Sequence, residues 1–190
     1  MIPTNAKGRM TMLSEIGEIC KIKKVSGYSP QIGHLVSMMN YARFTTLNEV
    51  KGLNIDQLDF MYNDNSNSIG ALLWHIAAVE FGFQTEIFEG RMPNREEVEE
   101  WQAAYGLGEI GRNKIKGKSL EFYINKLNDV RQRTLEEFKK LEDSWLYIER
   151  EWEGHLSNNY FIWFHVFEDE LNHRGQIRWL RKRMGEYEEG

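Results

Sequence analysis

Residues 163–177 read WFHVFEDELNHRGQI. Phe161, Ile162, Phe164, Phe167, Leu171 and Ile177 recur at helical spacing around this stretch and predict a long helix over about 158–184. At ~100° per residue, His165, Asp169 and His173 fall on one side of that helix, each ~40° from the next. Asp169 and His173 are one turn apart, the spacing at which two side chains can share one ion. Ionisable groups set among so many bulky apolar residues are costly to bury unless paired or metal-bound. Glu168 and Glu170 point ~100° away from Asp169 and read as a solvated acidic face.

Residues 68–90 read SIGALLWHIAAVEFGFQTEIFEG. Ile69, Leu72, Leu73, Ile76, Val79, Phe83 and Ile87 make a broad apolar helical face, which Gly90 ends. His75 lies within this helix with apolar neighbours on both sides, and Glu80 falls ~140° further round, on another face. A helix opening at Ser29-Pro30 carries Ile32, Leu35, Met38, Met39, Ala42, Leu47 and Val50, with Ser29 expected as its cap and Gly52 as its stop. A further helix is expected over about 119–141, with Ser119 as cap and Phe122, Ile124, Leu127, Val130, Leu135 and Phe138 as its stripe.

Between these lie a connection at 52–66 with a short turn at 56–58, and a long link at 91–117. The link holds a short helix over 96–105 and the Gly-punctuated stretch GLGEIGRNKIKGKS. A short extended piece is expected at 145–152. Residues 21–25 are either a short strand or irregular. Four long amphipathic segments with short or medium links predict an all-α four-helix bundle over 29–190. It has an N-terminal extension at 1–28 and the long link between its second and third helices.

The 190 residues are 41% hydrophobic and 13% aromatic, which argues for a packed core rather than disorder. Only three prolines interrupt the chain, which suits long helices. The formal charge of −5 argues against a nucleic-acid partner. No run approaches the ~18 apolar residues of a membrane span, and the N-terminus lacks the apolar core of a secretory signal. Cys20 is the sole cysteine, so no intrachain disulfide forms, and a cytoplasmic, reducing setting is the expectation. An inert thiol is the plainer reading of Cys20 than a nucleophile.

A bundle builds its metal and ligand sites from side chains that project inward from facing helices. His75 on one apolar helix and Asp169-x3-His173 on another form a complete two-His, one-carboxylate set. A lone core histidine and a solvated charged face are the competing readings of the two halves taken singly.

The same residues carry a resemblance. SIGALLWHIAAVE, HVFEDELNHRGQI with its ending His173-Arg174-Gly175-Gln176, and YARFTTLNEV at 41–50 resemble the His-bearing second helix, last helix and opening helix of the DinB-like superfamily. The likeness covers about residues 29–184. It implies a divalent metal, zinc or nickel first and manganese or iron next, held by His75, Asp169 and His173. Many members have His where this chain has Asp169. A carboxylate there resembles the mycothiol-dependent maleylpyruvate isomerase branch. The set brings one negative charge to the ion and is harder than three imidazoles.

Three protein ligands leave coordination positions open for water or substrate. Two reaction classes follow: activation of a low-molecular-weight thiol, as in the bacillithiol and mycothiol S-transferases that the chain resembles, and metal-assisted hydrolysis. A third reading is a non-enzymatic bundle with a structural metal. His165 is the candidate catalytic proton relay, with a third ligand, an orienting partner and a buried core histidine as its other readings. Trp74, Trp163 and Trp179 read as packing, and Arg174 and Gln176 as polar contacts that close the bundle. The expected partners are a small-molecule substrate and a second copy of the chain in a homodimer.

Overall fold

A computed structural model describes residues 16–188, with side chains through Met184. The first fifteen residues of the expected N-terminal extension lie outside the described residues. Residues 16–19 are helical and 22–25 irregular, so the strand alternative for 21–25 does not form. This segment lies along the first bundle helix: the Lys23 amide donates to Ser37 Oγ at 3.3 Å, and Ser37 Oγ donates to the Lys21 carbonyl at 3.4 Å. A Cβ on Gly33 would sit 2.9 Å from the Val25 nitrogen, so only glycine permits the approach.

The elements run α1 (Pro30–Val50), α2 (Ile55–Asp59), α3 (Ile69–Phe83), a π-helical turn (Gln84–Phe88), α4 (Arg95–Gly106), α5 (Gly108–Lys114), α6 (Leu120–Phe138), a 3-10 turn (Asp143–Tyr147), β1 (Glu149–Trp152), β2 (His155–Asn158) and α7 (Asn159–Glu188). The four long helices close a ring in which α1 packs on α7, α7 on α3, α3 on α6 and α6 back on α1. The fold is the all-α four-helix bundle the periodicity predicts. Twelve of the 15 residues of α3 are buried, which makes it the central helix and explains its apolar character on every side.

Capping sets where the helices start. Ser68 Oγ accepts from the Ala71 amide at 3.2 Å, and Ser119 Oγ from the Phe122 amide at 3.3 Å. At α1 the expectation is corrected. Ser29 makes no side-chain cap, and its hydroxyl donates instead to the Leu141 carbonyl. The Asp143 carboxylate takes the cap from across the bundle, accepting from the Gln31 and Ile32 amides at 2.8 and 3.1 Å.

Three further details differ from the sequence expectation. The second bundle helix does not run evenly to Gly90 but widens into the π-helical turn, a form frequent at functional sites. The long link is built structure: α4 packs against α3, and the Gly-punctuated stretch contains α5. The extended piece at 145–152 splits into the 3-10 turn and β1, which pairs antiparallel with β2 from Glu149↔Asn158 to Trp152↔His155. Glu153 and Gly154 both have positive φ (49° and 77°), the conformation of a two-residue turn matched to hairpin twist.

The core divides into two clusters. One, around α3, α4 and α6, holds Leu72, Leu73, Ile76, Trp101 and Leu127. The other, around α1 and the start of α7, holds Leu35, Met39, Phe138 and Trp163. Between them lies a buried polar layer. Arg43 Nε donates to Glu170 Oε1 at 2.9 Å and Arg131 Nε to Glu80 Oε1 at 2.8 Å. Each arginine also reaches the other acid. Glu80 and Glu170 are both fully buried. The solvated reading of Glu170 is therefore wrong: it points inward, into a four-charge cluster where two guanidinium groups neutralise it. Glu168 is half-buried rather than fully solvated. Trp163 is buried as expected, Trp74 is half-buried, and Trp179 lies 44% exposed.

Candidate metal centre

The antiparallel contact of α3 with α7 brings His75 of one helix beside Asp169 and His173 of the other. One donor atom from each residue lies within 4.8 Å of the others. His173 Nε2 is 3.3 Å from Asp169 Oδ1, and His75 Nε2 is 3.8 Å from Asp169 Oδ2. Two donors each about 2.1 Å from a shared ion at a tetrahedral angle stand ~3.4 Å apart, so this spacing suits one small divalent ion. The two imidazoles meet edge to face, with centroids 4.7 Å apart. The side chains are 13%, 18% and 12% exposed for His75, Asp169 and His173, so the centre is largely desolvated.

The link between the second and third long helices orients the first of these residues. His75 Nδ1 lies 2.9 Å from the carbonyl oxygen of Ala104 in α4. A carbonyl only accepts, so Nδ1 carries the proton and Nε2 turns its lone pair toward Asp169. Burial, reinforced by the charge of His173, holds the His75 imidazole below its ordinary pKa and keeps it neutral, with the lone pair on Nε2.

Asp169 behaves differently. Burial acts to raise its pKa, but the contact with His173 and the charges of His173, His75 and His165 outweigh it, and the carboxyl lies below its ordinary value. It is therefore an anion near neutral pH. Its Oδ2 is buried without a hydrogen-bond partner, as is His173 Nδ1. A buried carboxylate oxygen without a partner is costly. Coordination of a cation would satisfy it, so the donor set fits a divalent metal.

His165, one turn before Asp169, stands outside this donor group among the described residues. Its Nδ1 is 3.0 Å from Glu168 Oε2, and its ring packs against Trp152, Phe161 and Phe83. Arg174 donates to Thr45 Oγ1 of α1, a polar tie across the bundle. Cys20 is exposed.

Sequence reasoning missed the Ala104 carbonyl, because a backbone acceptor leaves no mark in side-chain chemistry. It also missed Tyr105, whose ring centroid lies 6.5 Å from that of His75. A signal did exist for the buried charges. Glu170 falls on the stripe of Trp163, Val166, Phe167 and Ile177, and Arg43 falls on that of Met39, Ala42 and Val50.

A four-helix bundle whose facing helices carry a His on one and an Asp-x3-His on the other belongs to the DinB-like class. Within it, the chain belongs to the mycothiol S-transferase family, whose family model matches residues 34–185. Among curated proteins no match to the chain is found. No helix among the described residues is long and apolar enough to cross a membrane.

Proposed function

We propose that the protein is a metal-dependent enzyme that joins a low-molecular-weight thiol to an electrophile at the centre formed by His75, Asp169 and His173. Membership of the mycothiol S-transferase family supports the thiol-transfer class. The observation that carries the reading is the unpartnered, buried Asp169 Oδ2 facing the lone pair of an oriented, neutral His75. A divalent ion held there, zinc or nickel before manganese or iron, would supply the Lewis acidity that brings a thiol to its thiolate near neutral pH.

The chain's own residues do the rest. His75 is pre-set in one tautomer by Ala104. Asp169 supplies the negative charge, and three protein donors leave room for substrate. His165 is the proton relay in this reading: Glu168 at Nδ1 makes Nε2 the accepting nitrogen. The thiol loses its proton, its sulfur forms the new bond to carbon, and the leaving group departs with its electron pair. A cytoplasmic setting and a homodimer complete the proposal, supported by the exposed Cys20 and by exposed aromatics such as Phe161 and Phe164.

The test uses tag-free, metal-loaded protein with mycothiol, bacillithiol or glutathione and 1-chloro-2,4-dinitrobenzene. Faster conjugation than with the His75→Ala variant is expected for at least one thiol. Equal rates with all three would sink the proposal, and sedimentation velocity checks the dimer.

A further inference from the structure

Beside the metal centre lies a cavity of about 320 Å³ between the end of α3, the π-helical turn and α4. Its walls include Ala78, Phe81, Phe83, Met92, Val98 and Trp101, and Tyr105 forms the side nearest His75. The Phe81 and Trp101 rings stack at 4.8 Å and 9°, giving a rigid aromatic wall. Gly82 lets the Tyr105 ring lie close over α3, since a Cβ there would meet the ring at 3.3 Å. Tyr105 thus adjoins both spaces, and the residue before it, Ala104, fixes His75.

We infer that this cavity seats the electrophilic substrate of the thiol-transfer reaction, and that the group it takes is a neutral, flat, aromatic or otherwise apolar one. The inference rests on the proposed thiol transfer for the electrophile's role, but the occupancy of the cavity is independent of it. Two observations favour this occupant. The lining is apolar and aromatic, with about the volume of a small ligand site. The acidic charge at its edge disfavours an anion. Glu97 is held by Arg91 at 2.6 and 2.7 Å, which leaves Glu86 as the rim charge facing a ligand.

The cleft at the other end of the α3–α7 contact has opposite chemistry. It is lined by Asn65, Ser66, Asn67, Asn172 and Gln176 beside Trp179. Amide and hydroxyl groups suit a hydrophilic molecule, so that side falls to the thiol and the apolar side to its acceptor.

The experiment is calorimetric titration of metal-stripped protein with 1,3-dinitrobenzene, an unreactive aromatic of the acceptor's shape, and with 3,5-dinitrobenzoate, its anionic counterpart. Val98 is 45% exposed and lines the cavity, so Val98→Trp fills the space from the surface at small risk to folding. Met92→Glu, at a 78% exposed lining position, places a charge at the mouth and serves if the first variant is unstable. We expect the neutral probe to bind, the anion to bind at least about tenfold more weakly, and either variant to weaken the neutral probe by a similar factor. Thermal unfolding of the variants should stay close to that of the parent. Absence of neutral-probe binding, or equal binding by a folded Val98→Trp variant, overturns the inference. If no thiol is transferred but the filled cavity loses the probe, the site stands and the transferase reading falls.

Discussion

His75 Nδ1 donates to the Ala104 carbonyl at 2.9 Å, which ties α3 to a residue of the long link. The bond holds the imidazole in one tautomer and one orientation, the arrangement that raises the basicity of a ligating histidine. Three candidate donors from two helices and one backbone acceptor from a third element therefore converge on one place. We expect His75→Ala, Asp169→Ala and His173→Ala each to weaken zinc or nickel binding by more than about 100-fold, beyond the loss typical of removing only an orienting partner. Metal analysis of tag-free protein and calorimetric titration provide the measurement. Metal should also raise the unfolding temperature of the parent but not of these variants. Stoichiometric metal in His75→Ala would remove this residue from the set.

The four-charge layer of Arg43, Arg131, Glu80 and Glu170 predicts a pH dependence of stability. Burial acts to raise the Glu80 pKa, but the charges of Arg131 and Arg43, then the hydrogen bonds of Arg131 and Thr134, outweigh it and hold it below the ordinary value. A carboxyl depressed in the folded state is stabilising above its unfolded pKa, about 4.3. That contribution is lost as pH falls through the folded value. Denaturant unfolding should therefore show stability falling from about pH 5 downward. Arg131→Met should cost about 3–5 kcal/mol at pH 7, because it strands a buried acid. Glu80→Gln should be less stable at pH 7 and show a shallower acid slope. A slope equal to that of the parent would remove Glu80 as its source.

The bundle itself was legible because long, proline-free, apolar-rich segments run from Ile69 to Ile87 and from Phe161 to Ile177, and because 3.6-residue periodicity is strong in Leu120 to Phe138. The His75, Asp169 and His173 juxtaposition followed from helix faces and resemblance, since side chains four apart share a face whatever surrounds them. What stayed hidden depends on partners distant in sequence. The Asp143 cap reaches α1 across 112 positions, and Glu170 looks like any surface acid until Arg43 is placed beside it. The hairpin was half-seen because β1 is four residues long, and its Glu153-Gly154 turn is a weaker signal than Asn-Gly.

The Asp143 cap carries its own prediction. Its carboxylate accepts from two amides at the start of α1, where the helix dipole favours a negative charge. Burial opposes ionisation there, but the hydrogen bonds from Ser29, Ile32 and Gln31 outweigh it and keep the carboxyl below its usual pKa. Asp143→Ala should cost about 1 kcal/mol, or roughly 2–4 °C in unfolding temperature for a chain of this size. Ser29→Ala should cost less, because its hydroxyl caps no amide of α1 and only supports the Asp143 carboxylate and the Leu141 carbonyl. The opposite order in thermal unfolding would return the cap to Ser29.

His165 is where structure and catalysis are hardest to separate, and a pair of substitutions separates them. Its ring lies parallel to Phe161, with 4° between planes and centroids 6.2 Å apart, and 5.1 Å from the Trp152 centroid. A phenyl ring preserves that packing but carries no nitrogen. His165→Phe should therefore keep the unfolding temperature and metal content of the parent. Loss of a proton relay should lower kcat by about 100-fold or more. His165→Ala should lose both packing and activity, and added imidazole should restore part of the activity by occupying the vacated space. Parent-like turnover in His165→Phe would show that the ring only packs, and the proton would then have to leave by way of solvent.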